Sequence, residues 1–406
     1  MREYGYIDMD CTSRKDQLQR ILNSEGLPAF QLILSLELIS NHRDYFPGLI
    51  CYAHALVALG RYKEAREVFT EVKQHLSQDK MYSFFQQMGD MCKKMGDLES
   101  SAQWFVKAIE LRPDDADGYI GAGAILARQG RLEEAEQYHR KATVCSQGCI
   151  DEAFLNLGFV LRAQERFAEA QKCFEKALEL DAGYDEAKIE LNDVRAVIAY
   201  LESEQRRQTK DWTPKERLWQ SCEVENSGSI AYSLILNREL IEDHSEYGPA
   251  YLDYGVTLVS LSRYGEAKVA LEKALELFPE NEIFIPTYHM GHLYELKGEF
   301  QEATEWFRRA IKLRPQNAEN HGKLGYILSK QGRLEEARWC YESALECSEG
   351  DLSEIYLGLG CVLRSLEQFT KALEYFEKAF ELDPELEEAE LGVRDIKLAI
   401  DYRKRK

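Results

Sequence analysis

Phe85-Gln86-Gln87-Met88-Gly89, followed by Cys92, Gly96, Leu98, Phe105, Ala108 and Pro113, is the stretch whose reading decides the fold. Its pattern returns as Tyr119, Ala122-Gly123, Leu126, Gly130, Leu132, Ala135, His139 and Ala142. It returns again as Phe154, Leu157-Gly158, Leu161, Phe167, Ala170, Phe174 and Ala177. The step from Gly89 to Gly123 is 34 residues and that from Gly123 to Gly158 is 35. An earlier unit runs through Tyr52-Ala53, Leu56, Gly60, Tyr62, Ala65 and Phe69. Apolar residues at three- and four-residue spacing make each unit a pair of amphipathic helices. Gly60, Gly96 and Gly130 close the first helix of their pairs, where a left-handed residue is cheap only for glycine. Pro113 stops the second helix of its pair. One pair cannot bury its own apolar face, so neighbours are expected to stack into a continuous core.

A longer regularity overlies the short one. Shifted by 202 residues, the chain aligns with itself: Gly89 with Gly291, Gly123 with Gly325, Gly158 with Gly360, Pro113 with Pro315. Gln129-Gly130-Arg131-Leu132-Glu133-Glu134-Ala135 reappears as Gln331-Gly332-Arg333-Leu334-Glu335-Glu336-Ala337. Near the ends of the halves, Asp193, Ile198 and Tyr200 match Asp395, Ile400 and Tyr402. Two tandem modules are expected, residues 1–206 and 207–406. Each holds a degenerate helix pair (near 10–42 and 213–244), four clear repeats and a closing helix from near Asp185 or Glu387. Thr213-Pro214-Lys215-Glu216 reads as a capping box with proline at the first helical position.

Composition narrows the function. The 406 residues, 45% hydrophobic and 30% charged with 9 prolines and 26 glycines, belong to a folded chain with little loop. The net charge of −20, from 71 acidic and 51 basic residues, argues against nucleic acid as a partner, since phosphate binding relies on cationic side chains. The basic run Arg403-Lys404-Arg405-Lys406 reads as a solvated end. No apolar run approaches the roughly 18 residues that span a bilayer, and the first residues lack the apolar core of a signal peptide. Together with Cys92, Cys173 and Cys361 at apolar helical positions, this points to reduced thiols and a cytoplasmic protein.

The repeat residues resemble the tetratricopeptide-repeat family over most of the chain. That resemblance implies an all-α superhelical solenoid, internally duplicated, with an inner groove lined by the first helix of each pair. Helical phase then puts Gln86, Asp90, Lys93, Phe159 and Arg162 in the groove of the first half. Tyr288, His292, Glu295, Tyr326 and Arg364 face it in the second. Where family members that dock chaperone carboxyl termini carry Lys and Asn, this chain has Gln86 and Asp90, or Tyr288 and His292, so that clamp is not expected. The two arginines admit two readings: docking of a partner's acidic groups, or pairing with a neighbouring repeat's carboxylate. The resemblance implies a scaffold that holds peptide or helical segments of other proteins without catalysis or cofactor. Tyr288, with His292 and Tyr326, is the expected anchor, because aromatic residues dominate interface energy.

Two chemical alternatives stand beside this. His289, His292 and Glu295 share one helical stripe and are ligands that zinc accepts. The second half carries them where the first has Gln87, Asp90 and Lys93, so two groove histidines are the blander reading. Cys145-Ser146-Gln147-Gly148-Cys149 offers a thiol pair, of which the second half keeps only Cys347, with Asp351 at the other place. No phosphate loop, nucleophile elbow or paired-carboxylate site is present in the sequence.

Overall fold

Each repeat is built around one close approach. A Cβ placed on Gly158 would lie 2.4 Å from the Phe174 ring, on Gly89 2.8 Å from Phe105, and on Gly360 2.8 Å from Phe376. The facing residue lies sixteen positions later in every case, about two turns into the second helix on its buried face. A side chain at these glycines would push the first helix off that ring, although in the first repeat Ala53 holds the same place sixteen residues before Phe69. Gly158→Ala should lower stability by about 1–3 kcal/mol, read as a fall in the urea midpoint, because Phe174 is fully buried and has nowhere to move. An unchanged midpoint would mean that the approach is looser than its geometry.

The computed structural model describes residues 13–42, 45–203, 212–347 and 349–405. Of these residues, 79% are helical, in 22 α-helices and one short 3-10 turn. Among them no strand forms; the two β-bridges, Asp115 with Gln147 and Asn317 with Glu349, are isolated and tie adjacent inter-repeat loops together. The fold is the all-α repeat architecture expected. Helix ends follow the local signals: Gly60, Gly96 and Gly130 have φ of 68°, 77° and 76°, and the capping box at Thr213 and Glu216 forms. The closing helices run Asp185–Glu202 and Glu387–Lys404. The module boundary at 206/207 lies outside the described residues.

By packing, the chain forms two compact units, residues 82–306 and residues 1–81 with 307–406. In the first, the closing helix Asp185–Glu202 lies against the helix Ile230–Asp243. The buried Asp193 carboxylate accepts hydrogen bonds from the Ala231 and Tyr232 N–H groups at 3.1 and 3.4 Å, capping that helix. The Tyr200 hydroxyl donates to Glu239 at 2.8 Å, and its ring stands 4.8 Å from that of Tyr232. In the second unit the closing helix Glu387–Lys404 lies against the helix Pro28–Asn41. Asp395 accepts from the Ala29 and Phe30 N–H groups at 3.0 and 2.9 Å, and Tyr402 donates to Glu37. The residues are the 202-shifted equivalents, so one docking chemistry is used twice.

Candidate functional site

The arginines read as groove residues belong to these junctions. Arg162 is 4% exposed; its Nη1 donates to Glu190 and, at 3.0 Å, to Asp193. Arg364 lies 3.4 Å from Asp395. Both are therefore engaged by carboxylates of the following closing helix, the pairing alternative of the sequence reading. The physical reason is burial: a guanidinium removed from water needs a fixed counter-charge, and the cap residue supplies it. Burial pushes the Asp193 and Asp395 carboxyls up, against the pull of Arg162 and Arg364 respectively. The run at the carboxyl terminus is likewise partly engaged. Arg403 pairs with Glu367 at 2.7 Å and lies over the Phe369 ring.

Glu367 and Glu165 close a second kind of contact. Both sit at helix-ending turns with positive φ, 57° and 60°, where other repeats place glycine. A non-glycine residue there costs about 1 kcal/mol. In the unit 82–306, Glu165 is held between Arg263 at 2.7 Å and Arg238 at 2.8 Å. In the other unit, Glu367 is held between Arg61 and Arg403, each at 2.7 Å. Burial alone would raise both carboxyls, but the paired arginines outweigh it and hold them below the usual range. The strained backbone thus places a carboxylate where two arginines converge. Nothing in the local sequence flags this, since the second arginine comes from different positions in the two halves.

The groove face survives as clefts in the unit 82–306. One, of about 480 Å³, runs across the first helices of three successive repeats, Met81–Lys94, Ala116–Arg128 and Ile150–Ala163. Gln86, Asp90 and Lys93 line it as expected, joined by Asn156 and by Asp117 and Glu152, two carboxylates that helical phase did not single out. Burial pushes the Asp90 and Glu152 carboxyls up; for Glu152, the neighbouring Asp117 and Asp151 add to the rise. Neither carboxylate has an ion-pair partner among the described residues. A second cleft of about 350 Å³ is lined by Phe159 and Arg162 and faced by the turn Ser260, Ser262 and Tyr264. Ala124 and Asn156 border both.

The second-half residues are dispersed. Tyr288, His292 and Glu295 are half-buried on the helix Phe284–Lys297, with the Tyr288 ring edge-on to His289 at 5.4 Å. Tyr326, in the other unit, is 39% exposed and carries Lys330 over its ring at 4.9 Å. Among the described residues no three His, Cys, Asp or Glu side chains gather to hold a metal, so the zinc alternative at His289, His292 and Glu295 has no geometric support. Burial pushes the Cys145 and Cys149 thiols up, with Asp114 and Asp117 adding to it, which keeps them protonated at neutral pH and poor nucleophiles. No helix of the described residues is long and apolar enough to cross a membrane.

Comparison with known proteins agrees with this architecture. Sequence models of the tetratricopeptide repeat match residues 47–69, 89–130, 151–184, 248–281, 291–332 and 316–385. The chain belongs to the tetratricopeptide-repeat family. It is 24% identical over 326 residues to the protein CTR9 homolog of Arabidopsis thaliana, covering 77% of this chain and 27% of that protein. It is 26% identical over 293 residues to protein NPG1 of Arabidopsis thaliana, covering 68% and 38%. Against the human cell division cycle protein 16 homolog it is 25% identical over 147 residues, covering 34% and 23%. The chain thus spans well under two thirds of these relatives. Among solved structures, it resembles the APC/C hetero-tetramer Cut9-Hcn1 with a TM-score of 0.41 at 12% identity, over 96% of this chain and 92% of that one. Yeast Tom70 gives 0.41 at 16% identity over 89% and 90%.

Proposed function

We propose that the chain is a non-catalytic scaffold that holds peptide or helical segments of other proteins, and that the 480 Å³ cleft between Gln86 and Asn156 is a docking face. The observation that carries this reading is the cleft itself, which crosses three successive first helices, the face on which such repeats present side chains to a partner. Exposed Asp90 and half-buried Glu152 stand there with no ion pair among the described residues and only Lys93 as a cation of the lining, so a segment bearing Lys or Arg would add a counter-charge to both. This first-half face is favoured over Tyr288, whose ring is half-buried and already packed edge-on to His289.

The test begins with peptides selected from a random display library on the purified chain. Their affinities are then measured by fluorescence anisotropy against Asp90→Lys and Glu152→Lys variants whose helical content is first checked by circular dichroism. Each reversal should weaken binding about tenfold, since like charge replaces opposite charge across a partly desolvated contact. Peptides that bind the variants as well as the parent would remove this cleft from the reading, and a library that yields none would count against the scaffold itself.

A further inference from the structure

The sixteen-residue rule of the repeats is broken once by a polar residue. Facing their glycines are Phe105, Phe174, Tyr341 and Phe376, and against Gly255 the apolar Leu271; against Gly123 it is His139. A Cβ at Gly123 would lie 2.6 Å from the imidazole, so the ring is clamped in the slot of a core aromatic. His139 is 1% exposed, and its Nδ1 has no hydrogen-bond partner. A buried polar atom left unpaired costs about 1–3 kcal/mol, a cost that a phenylalanine here would avoid.

The same histidine lines the 350 Å³ cleft, and so does a second unsatisfied donor. Arg162 has Nη1 committed to Glu190 and Asp193, but its Nε finds no partner. Arg128 also lines the cleft; its Nε donates to the Leu296 carbonyl at 2.8 Å, and no carboxylate pairs with it among the described residues. No Asp or Glu is part of the lining, in a protein of net charge −20. The rest of the wall is mostly apolar, Phe159 and Leu261 included. A few convergent polar groups in an apolar cleft of this volume are the usual make-up of a small-molecule site.

We propose that this cleft binds a small organic carboxylate, its charged end taken by Arg128 and the free Nε–H of Arg162, its apolar body against Phe159 and Leu261, with His139 as a neutral hydrogen-bond partner. A single uncompensated cation suits a monoanion; a phosphate dianion would bring more charge than Arg128 balances, because Arg162 is already answered by two carboxylates behind it. The apolar share of the wall asks for a hydrocarbon body, not a bare ion. This site is separate in chemistry from the acidic docking face and does not depend on it.

The full chain is titrated with sodium benzoate and sodium hexanoate, by calorimetry and by thermal unfolding, at ionic strength held constant with sodium chloride. Benzamide and hexanamide serve as uncharged counterparts. The carboxylates should bind saturably and raise the melting temperature, and the amides should bind about tenfold more weakly or not at all. Arg128→Gln and His139→Phe should each lose about tenfold in carboxylate affinity; the phenylalanine matches the sister repeats, so a folding defect would not explain its loss. Acids that bind no better than amides, or variants that bind like the parent, overturn the proposal. An acetylated glutamate-containing peptide that binds where both free acids fail overturns it too.

Discussion

Replacing Asp193 with alanine is expected to destabilise the unit 82–306 by about 3–5 kcal/mol, because it strands Arg162 and uncaps a helix at once. Asp193 is 1% exposed and answers three donors: the N–H groups of Ala231 and Tyr232 and the Nη1 of Arg162. Without it, a guanidinium that is itself 5% exposed keeps only Glu190, and the first turn of Ile230–Asp243 loses its acceptor. The urea midpoint should fall accordingly, and amide exchange at Ala231 and Tyr232 should rise. The double change Arg162→Met with Asp193→Leu should recover much of the loss, since removing both charges leaves nothing desolvated and unpaired. Protected amides and an unmoved midpoint in Asp193→Ala would show that the closing helix is held by its apolar face alone, through residues such as Val194 and Val197.

The same residues show how far the sequence could be read. Repeat period, helix ends and both closing helices were legible because glycine, proline and the apolar phase act locally. The cleft residues Gln86, Asp90 and Lys93 followed from helical phase on a face that repeats present in common. Arg162 and Arg364 share that phase, yet they point into a junction, and phase alone does not say whether the next helix covers a given position. A long-range signal was nevertheless available. Each arginine precedes an aspartate by 31 residues, Asp193 or Asp395, and both members persist in both halves. Two charges of opposite sign kept together while Gln86, Asp90 and Lys93 turn into Tyr288, His292 and Glu295 mark an internal pair. The clamp on Glu165 had no such signal, because Arg238 has no counterpart at residue 36, where the first half has leucine. That contact depends on three-dimensional convergence and could only come from the structure.

His139 gives the second large effect, and it is a pH effect. Burial depresses the imidazole pKa from 6.5 to about 4, so the folded state resists a proton that the unfolded chain takes up readily. For a depressed group, the stability is complete above pH 6.5 and is lost as the pH falls from there toward about 4. Over that interval His139 should withdraw about 3 kcal/mol. The whole protein will not display this cleanly. Asp193 and Asp395 have pKa values raised by burial, and Glu225 is pushed up to about 7 by burial with Asp253 beside it; protonating these groups favours the folded state in acid. His289, depressed to about 4 by burial with a smaller push from His292, acts in the same direction as His139. The informative quantity is therefore the difference between the parent and His139→Phe, in which every other titration cancels. Urea midpoints should differ modestly at pH 7 and diverge by about 3 kcal/mol near pH 4, with the phenylalanine variant the more stable. Parallel pH profiles for the two proteins would mean that His139 takes up its proton without leaving the core, with an acceptor or water of the cleft beside Nδ1.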